Sequence, residues 1–317
     1  MKTPLLLLLF NRPKETSILF DKLKEIKPER IYINQDGPRI NNREDKYLCE
    51  QVRKIVHEKK WNYEIFEKIN IKNLGCRKSV SEGINWFFEN EDKGIILEDD
   101  CIPLNSFFMF SEKMLKKYEN DDEIFLISGS NFQKNKIIED GDYYFSKYAH
   151  CWGWSTWARA WKKYDKDLKF WQNWKQSNNW KNFHRNKYER KYWTKIFNKV
   201  ENDKIDSWAY VWLASVWYNN GLTITPNYNL IQNIGFNENA TTTVSSNKEY
   251  NILKERDMNS IIKNPSKKIV NINADNFVFK NHFNGMYNFW PWRILYILKI
   301  LLKDPTTFWL KLKKRFK

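Results

Sequence analysis

Apolar and polar positions follow two periods along the first half of the chain. Residues 5–10, LLLLLF, form an unbroken apolar run with the length of a buried strand. Residues 14–26 place Ile18, Leu19, Leu23 and Ile26 at helical spacing. RIYINQDG, residues 30–37, reads as a second strand closed by an Asp-Gly turn, and a charged helix follows to residue 59. Residues 62–70 read as a third strand, and residues 77–90 as a helix with Val80, Ile84, Phe87 and Phe88 inward. GIILEDD, residues 94–100, is a fourth strand, followed by a helix over 107–120 and a fifth strand over 123–130. This rhythm predicts an α/β fold, a mostly parallel, doubly wound sheet flanked by helices. Past residue 143 the pattern changes. Residues 143–217 predict mixed helices and loops, and GLTITPN, residues 221–227, a short strand leading into the polar loop IQNIGFNENATTT. The organisation expected is an α/β half (1–135), a Trp-rich half of the same unit (136–288) and a separate tail (289–317).

Composition narrows the class. A chain of 317 residues, 42% hydrophobic, buries a large core. Ten Gly and nine Pro are too few for long disorder. Eleven of the 16 Trp fall between Trp152 and Trp217, a density that implies core or a binding surface. The net charge of +16 favours polyanions, anionic head groups or a phosphate-bearing substrate, with Lys on solvated helix faces as the plain alternative. Cys49, Cys76, Cys101 and Cys151 form no C-x-x-C pair, which argues against a zinc site or a disulfide framework and for reduced thiols in a cytoplasmic protein. The run at 5–10 is shorter than a signal-peptide core, and no small-residue cleavage site follows it. No stretch reaches the roughly 18 apolar residues of a membrane span.

The chemistry gathers at strand ends. GIILEDD carries Glu98, Asp99 and Asp100 to the carboxyl end of a strand, where open α/β sheets bind ligands. Packed carboxylates take up protons unless a cation compensates. A divalent cation held by one or two of them plus substrate phosphates is the economical solution; acids pointing into water are the alternative. Arg12 follows the first strand and Asp36 the second, while Arg77 and Lys78 open a helix whose N–H groups favour anions. A nucleotide diphosphate bridged by a cation would use this whole set.

In that order LLLLLFNRP, INQDG, GIILEDDCIPLNSFF, EIFLISGSN, CWGWSTWARAW and IDSWAYVW resemble a GT-A glycosyltransferase, over residues 4–240. The likeness is to bacterial sugar-nucleotide transferases related to N-acetylglucosaminyltransferase I. It implies Mn²⁺ (or Mg²⁺) on Asp100, ribose near Asp99 with Glu98 beside it, uracil on Asp36 and the nucleotide by Arg12. The general base of such enzymes maps to Asp206; Ile205 and Ser207 stand where the family pattern has Trp and a second Asp. An ordinary helix N-cap is the alternative for Asp206, and Asp203 is the rival base. CWGWSTWARAW would lie over the donor, unless it is a packed turn, and His282 would be a late metal or pyrophosphate ligand. His57, His150 and His184 have no assignable partner. The expected activity is metal-dependent, inverting transfer from a nucleotide-sugar donor, UDP-linked and of the N-acetylglucosamine type, to a glycan or lipid-linked acceptor, on the inner face of a cell membrane in surface polysaccharide synthesis. Residues 289–317 interleave aromatic and basic side chains, which suits an anionic bilayer, or else a helix packed on the body. Two other classes stay open. One is a nucleic-acid protein, against which stands the absence of a second acid set and of known modules. The other is a lipid- or glycan-binding protein without activity.

Overall fold

The computed structural model describes residues 1–59, 63–134, 136–138, 140–235 and 261–303. The polar loop expected after the last strand lies, from residue 236, outside the described residues, and so does the tail beyond residue 303.

The first half builds β1 (Leu5–Leu9), α1 (Pro13–Ile26), β2 (Arg30–Gln35), α2 (Arg43–Glu58), β3 (Glu64–Ile69), α3 (Cys76–Phe88), β4 (Lys93–Glu98), a short β5 (Cys101–Pro103), α4 (Asn105–Lys117) and β6 (Ile124–Ser128). The second half adds β7 (Tyr143–Ser146), β8 (Trp154–Trp157), α5 (Ala158–Trp161), α6 (Trp171–Trp174), α7 (Asn178–Phe183), α8 (Lys187–Glu201), α9 (Trp208–Tyr218), β9 (Leu222–Pro226), β10 (Ile231–Asn233), α10 (Ile272–Asn281) and α11 (Trp292–Lys303). One eight-stranded sheet runs in the order β3-β2-β1-β4-β8-β6-β9-β7. β3, β2, β1 and β4 pair in parallel, β8 runs against both β4 and β6, β9 is parallel to β6, and β7 is antiparallel to β9. The chain is therefore α/β with a large, mostly parallel mixed sheet flanked by helices.

β1 explains why the apolar run at its start is unbroken. Strand side chains alternate between the two faces of a sheet. Leu5, Leu7 and Leu9 enter a core with Leu19, Phe20 and Leu23 of α1 and with Val52 and Val56 of α2. Leu6 and Leu8 enter a second core with Ile84 and Phe87 of α3. A central strand covered on both faces has no position for a polar residue. Each buried leucine contributes roughly 1.5–3 kcal/mol relative to exposure.

Two expectations are corrected. Residues 143–217 hold two sheet strands, β7 and β8, as well as helices and loops. Most of CWGWSTWARAW is packed inward as in the packed-turn alternative: β8 threads between β4 and β6, so Trp154 drops into one core and Trp157 into the other, with Trp161 buried beside Trp212, while Trp152 stays partly exposed. Of the eleven Trp between 152 and 217, all but Trp152 are buried. All of these except Trp157 share one aromatic core, with Trp171 edge-on to Trp180 at 5.0 Å and Trp193 edge-on to Trp217 at 5.0 Å. Such pairs add to plain area burial. Inside this core Glu189 meets Lys147 at 2.9 Å and His184 at 3.2 Å, and accepts from Tyr148 at 2.5 Å. Burial opposes its charge, but His184, Lys147 and Tyr148 together hold the Glu189 carboxyl down at about 2.

Candidate active site

β1 sits between β2 and β4, because the chain steps outward from β1 to β2 and β3 and returns to the other side of β1 with β4. Such a switch point leaves a crevice beyond the carboxyl ends of the strands. Here it measures about 330 Å³ and is lined by Arg12, Asn34, Asp36, Arg39, Asn73, Gly75, Cys76, Glu98, Asp99 and Asp206, among others.

Arg12 follows β1 at the start of α1. Its Nη1 donates to Asp99 Oδ1 at 2.9 Å and to Asp100 Oδ2 at 2.8 Å. Burial disfavours the guanidinium charge, but Asp99 and Asp100 outweigh it and raise the pKa. Glu98 closes β4 beside this pair. Burial, then Asp100 and Asp99, push its carboxyl well above the usual range, with Arg12 opposing. Burial likewise raises Asp99 despite Arg12. One guanidinium thus faces three carboxylates whose negative charge it does not fully offset. That surplus fits a hard cation held by one or two carboxylates and completed by phosphate oxygens. Among the described residues no group of three or more His, Cys, Asp or Glu forms a ready metal cage. Asp100 is further fixed by its backbone carbonyl, which accepts from Ile234 N at 2.9 Å. A Cβ at Gly235 would come within 2.1 Å of Asp100 Oδ2, so a glycine is needed where β10 brings the chain past this acid.

Asp36 ends β2 and organises a loop. It accepts from Gly37 N at 2.9 Å, Leu74 N at 3.0 Å and Asn73 Nδ2 at 2.9 Å. It therefore ties the end of β2 to the loop that enters α3. Asn73, which lines the crevice, carried no signal beyond its place in a polar turn. Arg39 also lines the crevice and went unnoticed in the sequence; Asp45 holds it through Nε at 2.5 Å and Nη2 at 2.8 Å.

Asp206 reaches the crevice from the second half of the chain. Its Oδ1 accepts from the backbone N–H of Arg77 at 3.2 Å, so this carboxylate caps the N-terminus of α3, 129 residues earlier in the chain. Oδ2 lies 3.1 Å from where a Cβ of Gly75 would stand, and Gly75 has φ +83°, which a side chain would strain. Glycine is needed there on both counts. The cap of α9 itself is Ser207, which accepts from Tyr210 N at 3.4 Å. Asp206 is thus a cap, but of a distant helix, and it also borders a second cleft of about 560 Å³. That cleft is lined by Arg77, Lys78, Tyr164, Lys166 and Asp203 as well. Asp203 lines it without lining the first crevice, and its side chain is 88% exposed.

The remaining expected residues lie elsewhere. The Arg77 side chain turns away from the crevice to Val200 O at 3.2 Å, Asp203 Oδ1 at 3.0 Å and Lys166 O. Only its backbone N–H faces Asp206. His282 does not line the crevice; its ring stacks on Phe132 at 3.9 Å, near His150 and Phe283, and desolvation lowers its pKa to about 3.

No protein family and no curated protein matches the chain. Among solved structures, HddC from Yersinia pseudotuberculosis, crystallised with GMP-PN, is similar at 14% sequence identity, over 39% of this chain and 56% of that one, with a TM-score of 0.27. The chain covers little more than half the length of that neighbour, and a likeness this shallow carries no weight for fold or function. Among the described residues no helix is long and apolar enough to cross a membrane.

Proposed function

We propose that the protein is a GT-A-type glycosyltransferase using a nucleotide-sugar donor. The observation that carries the reading is the crevice at the β1 switch point, which Arg12, Glu98, Asp99 and Asp206 line together. The donor diphosphate lies against Arg12 and the carboxylates, with Asn34 and the Asp36 loop toward the nucleoside. Mn²⁺ or Mg²⁺, held by Asp100 with Asp99 beside it, would stabilise the charge of the leaving diphosphate when bound. Arg12 supplies a second positive charge to the same oxygens. The acceptor, a glycan or a lipid-linked sugar, occupies the neighbouring cleft that shares Asp206. Asp206 Oδ2 takes the proton of the acceptor hydroxyl as it attacks the anomeric carbon. Oδ1 stays on the Arg77 N–H, which orients the carboxylate. A single base opposite the leaving group gives inversion. UDP and an N-acetylglucosamine-type sugar are the first donors to try.

A peripheral position on an anionic membrane belongs to the same reading. Trp290, Ile294, Leu295, Leu298 and Leu302 stand exposed on and before α11, with Arg293 among them. This is the composition of an interfacial helix. The test is thermal stabilisation by a nucleotide panel with and without Mn²⁺, since ligand binding to the native state raises apparent stability. A shift with UDP that requires Mn²⁺ and disappears in Asp100→Ala, together with loss of transfer, is expected. Full Mn²⁺-dependent transfer by Asp100→Ala would reject the assignment.

A further inference from the structure

A groove of about 540 Å³ lies on the second half of the molecule, along α7 and α8. Its walls are cationic: Lys175 and Lys181 on one side, Arg190, Lys191, Lys195 and Lys199 of α8 on the other, and Lys204 just after α8. No acid lines it. α8 has two acids, and both are engaged elsewhere: Glu189 turns inward to Lys147 and His184, and Glu201 accepts from Gln172. Lys191, Lys195 and Lys199 succeed one another at four-residue spacing on one helix. Like charges at that spacing weaken a helix. A solvated helix face ordinarily interleaves both signs, and this one does not.

We propose that this groove binds an acidic carbohydrate chain, one carrying carboxylates or phosphodiesters. Two observations select that partner. The groove is concave, whereas a bilayer presents a broad surface. Its one aromatic side chain, Trp180, is 1% exposed and spends its indole N–H on Thr194 Oγ1 at 3.1 Å, so it offers no platform for stacking bases as single-stranded nucleic acid requires. The remaining lining residues, Thr194, Asn198 and Asn202, hydrogen-bond within the protein, to Trp180 and Arg190, to Trp171 and Lys175, and to the Asn198 carbonyl, so the lysines and Arg190 supply the recognition. The step from Lys191 to Lys195 and on to Lys199 is about 6 Å along the helix, the order of one sugar residue. Lys204 stands two residues before Asp206, so groove and crevice flank the same α8–α9 connection. The proposal does not depend on the transferase reading, because binding is measured without any donor.

The experiment is fluorescence anisotropy of a labelled oligogalacturonide titrated with the full chain at two salt concentrations. A neutral maltooligosaccharide, a single-stranded oligodeoxynucleotide and phosphatidylglycerol vesicles run in parallel. The acidic glycan is expected to bind most tightly, with affinity that falls as salt rises. K191E/K195E/K199E should weaken it by about tenfold or more, and K191Q/K195Q/K199Q by less. Each variant is checked for an unchanged melting temperature; should the charge reversal unfold the chain, the Gln variant carries the test. No binding of the acidic glycan, tighter binding of the oligonucleotide or vesicles, or equal affinity in the folded variants would overturn the proposal.

Discussion

Asp206 caps α3 and is the proposed base, and two substitutions separate the two roles. As a cap it satisfies one N–H at the start of α3; a side-chain cap contributes about 1 kcal/mol. Asp206→Ala removes that acceptor, so it should lower the melting temperature by about 2 °C in a chain of this size. Asp206→Asn keeps an oxygen for the Arg77 N–H and should melt close to wild type. As the base, either change removes the proton acceptor from the crevice. A positioned general base contributes roughly 10²- to 10⁴-fold, equivalent to about 3–5 kcal/mol of barrier. Both variants should therefore lose transfer by that factor, while their stabilisation by UDP and Mn²⁺ stays near wild type. The assay pairs thermal melts with turnover of donor in the presence of acceptor. Asp203→Asn is the control, because its carboxylate is solvent-exposed, paired to Arg77 and outside the crevice at the β1 switch point. Wild-type turnover in Asp206→Asn, or loss of transfer in Asp203→Asn alone, would refute the assignment.

Three further outcomes are expected. Arg12→Ala leaves Asp99 and Asp100 packed without their shared donor; removing one partner of a largely buried ion pair costs about 3 kcal/mol, measurable by urea unfolding, and an unchanged midpoint would mean the pair contributes nothing. Gly75→Ala forces a Cβ against Asp206 at a positive φ, and should lower both stability and transfer; activity equal to wild type would show that the approach of Gly75 to Asp206 is dispensable. Burial lowers His184 to about 4 although Glu189 opposes this, so its imidazole resonance should not titrate between pH 7.5 and 5, whereas a midpoint near the ordinary value of about 6.5 would contradict its burial. The unfolded chain takes up this proton first, so stability from His184 is complete above about pH 6.5 and is lost at roughly 1.4 kcal/mol per pH unit as pH falls toward 4.

Much of the first half was legible because its signals are local. An apolar run of strand length, helical spacing with Leu19 and Leu23 on one face, and three acids at a strand end each depend on neighbours in sequence. They brought β1 to β4, the α/β class and the cluster of Arg12, Glu98, Asp99 and Asp100 within reach of reading. The second half was not legible in that way. A Trp buried in a core and a Trp stacked on a sugar have the same letter, and only the insertion of β8 between β4 and β6 sends Trp154 and Trp157 inward. Arg77 was expected at the crevice from its place at a helix start, but a long side chain goes where acceptors are, and Val200, Asp203 and Lys166 lie on the far side. Asp206 and the end of α3 meet across 129 positions. The sequence by itself determined which segments become strands and helices, because burial periodicity is written residue by residue. Tertiary structure alone decided which distant side chains share a crevice, because the order of strands in a sheet is settled by packing and not by adjacency along the chain.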